Sequence, residues 1–124
     1  MILDLWKRAE ALPTATDDTE GLQGLLDIDG EALLVAEVEG SVVGGLIVAW
    51  DGWRGNMYRL AVLPEFRRRG IARALVAEGE KRLRLKGARR LSALVIEGHD
   101  SAVGFWVANG YSLDPRIGRF VKNT

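Results

Sequence analysis

The chain contains no cysteine among its 124 residues. Disulfides, thiolate metal sites and a cysteine nucleophile are therefore excluded. One histidine, His99, leaves too few imidazoles for a zinc site, so no metal is expected. Charge of one sign is also missing. Seventeen basic and seventeen acidic side chains cancel, so no overall field draws the chain to nucleic acid or to an anionic membrane, and neither is expected as a partner. No apolar run approaches the ~20 residues needed to span a bilayer. The longest, from Val42 to Trp50, is interrupted by Gly44 and Gly45. No signal peptide, internal repeat or low-complexity tract is evident, and the expected location is cytoplasmic.

What is present is an ordinary globular composition, with 48% hydrophobic and 27% charged residues. The length fits one domain, residues 1–124. A chain of that size buries roughly two thirds of the surface exposed by its unfolded form. Ile2, Leu5, Trp6 and Ala9 recur at helical spacing, which predicts a helix over residues 2–11 that stops near Pro13. Thr16, Asp17 and Asp18 suit the start of a second helix, with Leu22, Leu25 and Leu26 on its apolar face and Gly30 at its end. Ala32–Glu39 and Val42–Ala49 read as an antiparallel hairpin about a Gly40-Ser41 turn. Trp50–Gly55 is turn chemistry leading into a third strand, Asn56–Leu63, that Pro64 terminates.

From Ile71 to Lys86 the positions Ile71, Leu75, Gly79 and Leu83 step by four, and Gly87 is the expected terminating glycine. Gly79 sits inside that helix at a cost of ~1 kcal/mol relative to alanine, which suits a helix lying close on a sheet. Leu91–Ile96 is apolar on both faces, as in a central strand, and follows a strand and a helix, so a parallel crossover is expected. Ser101–Asn109 reads as a short helix ended by Gly110, and Tyr111–Leu113 and Gly118–Val121 as a closing pair of strands.

The whole is organised around Leu60–Ala72, where a strand ends, a short basic loop follows, and a helix opens on Gly70-Ile71-Ala72. Free backbone N–H groups at such a helix start form a ready anion site. Within this stretch Arg67-Arg68-Arg69-Gly70-Ile71-Ala72 follows Leu-x-Val-x-Pro-x-Phe and precedes a helix of about four turns. In that context the chain resembles the GNAT superfamily of acyl-CoA-dependent N-acetyltransferases from about residue 30 to its end. The resemblance implies an α/β (mixed, α+β) GNAT-like fold, a central mixed, mostly antiparallel sheet flanked by helices. The first family strand has no counterpart in this sequence, either because the sequence starts short of it or because an edge strand is absent, and an unpaired edge suggests a homodimer.

The resemblance also implies acetyl-CoA as acyl donor. Its diphosphate would lie on the loop from Arg67 to Arg73, through Arg68, Arg69, Gly70, Ile71 and Ala72. Its pantetheine would lie along Leu60, Ala61 and Val62, with the Val62 N–H facing the thioester carbonyl. The second family landmark is an Asn, then Ala, an apolar residue and Tyr, then Gly with Phe or Tyr. It is met by His99-Asp100-Ser101-Ala102-Val103-Gly104-Phe105-Trp106 and Gly110-Tyr111. Two positions depart. His99 replaces the usual Asn, and Trp106 replaces the tyrosine that protonates the departing thiolate in many members.

Trp106 can stack on pantetheine or simply pack in a core; it cannot donate a proton as a phenol does. A positioned acid is worth ~10²–10⁴ in rate, yet a thiol with a pKa of ~8.5 leaves tolerably without one. Tyr58, assigned by period-2 alternation to the strand face of Asn56, Leu60 and Val62, is a candidate acid, and His99 a candidate acid or base. Asn56 stands where some relatives place a carboxylate base, and it cannot accept a proton.

Direct attack of a neutral amine is therefore expected. At pH 7 about one α-amino group in six is neutral, against on the order of one lysine side chain in two thousand, which favours a low-pKa amine. Asp51 and Arg54, beside Trp50 and Trp53 in one turn, are the candidate partners of the acceptor's ammonium and carboxylate. The alternative to an enzyme is a catalytically idle acyl-CoA sensor.

Overall fold

The computed structural model describes residues 2–9, 17–95 and 100–124. They form two units, one ending at Leu94 and one starting at Val95.

In the first unit, α1 (Ile2–Arg8) is shorter than the expected 2–11, and the end of that span lies outside the described residues. Ile2, Leu5 and Trp6 form its buried face. α2 (Thr19–Ile28) starts on Asp18, whose carboxylate accepts the Gly21 N–H at 2.7 Å. Its end is set by Asp29, whose N–H reaches the Leu25 carbonyl, one residue before the expected Gly30. β1 (Leu33–Val38) and β2 (Ser41–Trp50) form the hairpin. Its turn is Glu39-Gly40 rather than Gly40-Ser41. Both residues have positive φ, 50° and 80°, which is what a two-residue type I′ turn requires.

β3 (Gly55–Val62) pairs antiparallel with β2, and β4 (Leu91–Ala93) runs parallel to β3. The sheet order is β1-β2-β3-β4. Of the expected strand Leu91–Ile96, Leu91–Ala93 is strand among the described residues, Ile96 lying outside them, and within this unit it ends the sheet rather than occupying its centre. Between β3 and β4 comes α3 (Ile71–Lys86), which closes on Gly87. Gly87 donates to Arg84 and Ala88 to Leu83, the paired bonds of a Schellman motif.

Helices cover both faces of the sheet. On one, Ile2, Leu5, Trp6 and Ala9 pack with Val43, Ala61 and Leu63. On the other, α3 lies so close at Gly79 that a Cβ there would sit 3.0 Å from Val48 Cγ2 and 3.3 Å from Leu46 Cδ2. The glycine that weakens the helix is the one that admits it to the sheet.

In the second unit, α4 (Asp100–Ala108) ends in another Schellman motif, with Gly110 at φ 94° and the Tyr111 N–H on the Trp106 carbonyl at 3.0 Å. The two closing strands do not form. Residues 111–124 carry no strand, Asp114 bonds locally to Arg116, and Leu113, Ile117, Phe120 and Val121 are exposed. A short apolar segment becomes a strand only where a neighbouring ladder takes its backbone groups.

Candidate active site

β3 carries the centre of the site, and its regularity is broken once. Gly45 pairs with Ala61 but Ile47 pairs with Tyr58, so Arg59 and Leu60 together oppose Leu46. This is a β-bulge, and Arg59 adopts the left-handed conformation, φ 56°, that lets the extra residue fit. The bulge overturns the simple alternation expected for this strand. Tyr58 does share a face with Asn56, but that is the face of Ala61 and α1. Val62 is carried instead to the face of Gly44 and Met57, against α3.

The backbone of Val62 is set by its register. Leu63 donates to the Val43 carbonyl at 2.9 Å, and Val62 lies opposite Gly44. In an antiparallel ladder the residue between two bonded pairs turns its own N–H and C=O away from the partner strand. Val62 therefore directs both groups to the β4 side. There, β4 has already stopped: its pairing covers Gly55, Asn56 and Met57, and Leu94 adds one bond to the Met57 carbonyl at 3.1 Å. Beyond Met57, β3 continues to Val62 with no strand on that edge among the described residues of this unit.

The open edge leads directly into the loop. Pro64–Phe66 forms a 3₁₀ turn, Arg68 takes φ 64°, and Gly70 caps α3 at φ 81° without any side-chain cap. The first helical bond runs from the Ala74 N–H to the Gly70 carbonyl. The N–H groups of Ile71, Ala72 and Arg73 therefore have no acceptor within the helix and carry its positive dipole end. Left-handed residues in so short a turn set backbone N–H groups around a concavity suited to an anion.

The arginines of this loop are not equivalent. Arg68 and Arg73 are exposed and form no salt bridge among the described residues. The Arg69 guanidinium stands 5.0 Å from the centre of the Phe66 ring. Arg67 turns back instead, its Nε donating to the Val62 carbonyl at 3.0 Å and its Nη2 to the Ala9 carbonyl at 3.4 Å.

Not every expected residue is brought here. Asp51 closes its own turn, accepting the Trp53 and Arg54 N–H groups at 2.8 and 2.7 Å, and those bonds hold its carboxyl below the usual aspartate value. The Arg54 guanidinium lies 3.8 Å over the Trp53 ring. This turn precedes β3, so at ~3.3 Å per residue it stands about 20–26 Å along the strand from Val62. His99 lies outside the described residues. Trp106, in the second unit, is buried, with Tyr111 edge-on at 4.9 Å and Phe105 at 5.5 Å. A concavity of about 330 Å³ between β1 and α3 is mainly apolar and lies away from the open edge of β3. Sequence reasoning missed the bulge and the bonds of Arg67 to the Val62 and Ala9 carbonyls. A non-glycine residue with positive φ inside a strand leaves no trace in a hydrophobic pattern.

A model of the Acetyltransferase (GNAT) family matches residues 2–111. An acetyltransferase of Pectobacterium atrosepticum is 37% identical over 105 residues, covering 85% of this chain and 74% of that protein. Among solved structures, the PaiA N-acetyltransferase from Thermoplasma acidophilum, in complex with coenzyme A, superposes with a TM-score of 0.77 at 15% identity, covering 91% of this chain and 82% of its own. The aminoglycoside N-acetyltransferase AAC(6')-Iy in complex with CoA gives 0.73 at 20% identity, covering 98% and 89%. The strand with an open edge, the glycine-capped helix start and these likenesses agree: the chain belongs to the GNAT family of acetyltransferases.

Proposed function

We propose that the protein transfers an acetyl group from acetyl-CoA to a primary amine of a small molecule or peptide by direct attack on the thioester. The observation that carries this reading is the continuity of two features. The open edge of β3 at Val62 runs into the uncapped N-terminus of α3. Along the edge, the pantetheine amides find backbone partners as an added strand would. At the helix start, the diphosphate meets the N–H groups from Arg68 to Arg73, with the Arg68 and Arg73 side chains adding charge. The Val62 N–H then faces the thioester oxygen as it becomes an oxyanion.

The acceptor amine approaches already neutral, because Asn56 cannot take its proton. Tyr58, on the α1 face beside Asn56, is the phenol of β3 that can supply a proton to the leaving thiolate. A low-pKa amine is the acceptor this arrangement favours. Named acetyltransferase relatives support turnover over an idle CoA sensor. The cytoplasmic location and a homodimer paired through the outer edge of β1 belong to the same proposal, and sedimentation measures the second.

The test is release of free thiol from acetyl-CoA across a panel of amines. Turnover that follows the neutral amine fraction supports the mechanism. If lysine side chains prove the best acceptors by kcat/KM, the assignment of a low-pKa acceptor amine fails. If no amine turns over while CoA raises the melting temperature, the sensor reading replaces it.

A further inference from the structure

Arg67 opens the basic loop, and by charge alone it would be counted with its neighbours as a ligand of the diphosphate. Its side chain is used otherwise. Nε donates to the Val62 carbonyl at 3.0 Å and Nη2 to the Ala9 carbonyl at 3.4 Å. One planar guanidinium thus joins the end of α1, the end of β3 and the start of the anion loop. Arg67 and Arg68 are both exposed as residues, but Arg68 carries no comparable bond among the described residues.

The consequence lies at the open edge. A strand residue turns its N–H and C=O to the same side, so Val62 presents both to the edge that β4 leaves free. Arg67 takes one of the two lone pairs of that carbonyl, while the N–H has no acceptor on β2 and is left to a ligand. The bond to Nε adds a second restraint to the one that the register with β2 already places on Val62, and so on the direction of its N–H. Donors to a developing oxyanion act through preorganisation, so a donor free to rotate loses much of its effect.

We propose that Arg67 is a positioning residue that holds the Val62 backbone for catalysis and does not bind the diphosphate. The inference rests on the acetyltransferase reading for its kinetic consequence, while the clamp itself can be measured without CoA. Lysine keeps the charge but replaces the rigid fork with one ammonium, so the two roles predict opposite behaviour.

The experiment compares Arg67→Met and Arg67→Lys with the unaltered protein. Each is measured for CoA affinity by calorimetry, kcat at saturating acetyl-CoA, and amide hydrogen exchange of residues 60–63 in the CoA-free protein. In both variants exchange at residues 60–63 is expected to quicken and kcat to fall about 10- to 100-fold, as for a misdirected oxyanion donor. The CoA Kd should stay within about 2-fold, since no diphosphate contact is lost. The proposal is overturned if Arg67→Met weakens CoA by about 10-fold or more and Arg67→Lys restores it with kcat intact. It is equally overturned if exchange at residues 60–63 does not change. Should the unaltered protein neither bind CoA nor turn it over, the acetyltransferase reading fails, and the exchange result still decides the clamp.

Discussion

Arg59 pairs its guanidinium with the carboxylate of Asp17, which lies 42 residues earlier in the chain. Both side chains are mostly buried, 16% and 15% exposed, and the guanidinium also stands 5.5 Å from the centre of the Trp6 ring. The left-handed residue of the bulge is therefore held from α1 and from the segment before α2. Asp17→Asn should destabilise the fold by about 1–3 kcal/mol, because it leaves the Arg59 charge incompletely compensated. Arg59→Gly should be less destabilising than Arg59→Ala by about 1 kcal/mol, since glycine alone adopts positive φ without strain. Urea unfolding of the three variants gives both differences. If the Arg59→Ala and Arg59→Gly midpoints coincide, backbone strain at the bulge is not a term in stability.

Gly79 tests the contact between α3 and the sheet. Alanine there gains about 1 kcal/mol of helix propensity but places its Cβ 3.0 Å from Val48 Cγ2. The two effects oppose each other, and Gly79→Ala should stay within about 1 kcal/mol of the unaltered protein. Gly79→Leu has no such balance and should destabilise by about 2 kcal/mol or more, through overpacking against Leu46, Val48 and Met57. A leucine variant melting with the unaltered protein would mean that α3 does not lie as close as described.

Arg68 and Arg73 should behave unlike Arg67. Arg68 on the loop and Arg73 in the first turn of α3 are exposed and lack the backbone bonds of Arg67, so Arg68→Ala and Arg73→Ala should raise the CoA Kd about 3- to 10-fold, with kcat at saturation unchanged. The loss should shrink as salt is raised, because exposed charges are screened. Titration of CoA at two ionic strengths measures both. A salt-independent loss would point to a change in loop shape rather than in charge.

The acid limit of stability is set in part by two turn carboxylates. Asp29 accepts from Lys86 Nζ at 2.8 Å and from the Glu31 N–H at 2.9 Å, and these bonds hold it below its ordinary value of 3.8. Asp51 is held below 3.8 by the Arg54 and Trp53 N–H groups. A carboxyl whose folded pKa is depressed contributes stability that is complete above its unfolded pKa and lost as pH falls through the folded one. Melting temperature should therefore drop below about pH 4, and Asp29→Ala and Asp51→Ala should each flatten that drop. Melting curves between about pH 2 and pH 6 check this, and slopes unchanged in both variants would exclude these two groups as the source.

Much of this structure is legible in residue order because local chemistry and tertiary context agree. Gly87 and Gly110 mark helix ends through positive φ, and the four-residue step from Ile71 to Leu83 announces the buried face of α3. Gly70, read as a close-approach glycine, is the left-handed cap of the anion loop. Failures occur where a distant partner decides. Period-2 counting places Tyr58 with Val62, and Arg59 defeats it through a conformation held by Asp17 and Trp6. Arg67, Arg68 and Arg69 look alike as charges, yet Arg67 is bonded back to the carbonyls of Val62 and Ala9. At 118–121 a closing strand is expected, although no ladder receives it among the described residues.

Trp106, expected from the resemblance to take the place of a tyrosine acid, is buried with Tyr111 edge-on at 4.9 Å. Two effects should separate on Trp106→Tyr. Loss of ring volume in a packed position should lower stability by about 1–3 kcal/mol. A phenol at this motif position should raise kcat by about 10-fold or more, part of the ~10²–10⁴ that a positioned acid supplies. The gain should fade as pH rises toward about 10, where the phenol ionises and no longer has a proton to give. Tyr58→Phe, made both alone and together with Trp106→Tyr, identifies the acid being replaced. If Tyr58 protonates the thiolate in the unaltered protein, Tyr58→Phe lowers kcat there and has little effect when combined with Trp106→Tyr. A Trp106→Tyr variant that melts lower with kcat unchanged at every pH would assign Trp106 to packing alone, and thiolate departure without acid assistance would then be the mechanism of this enzyme.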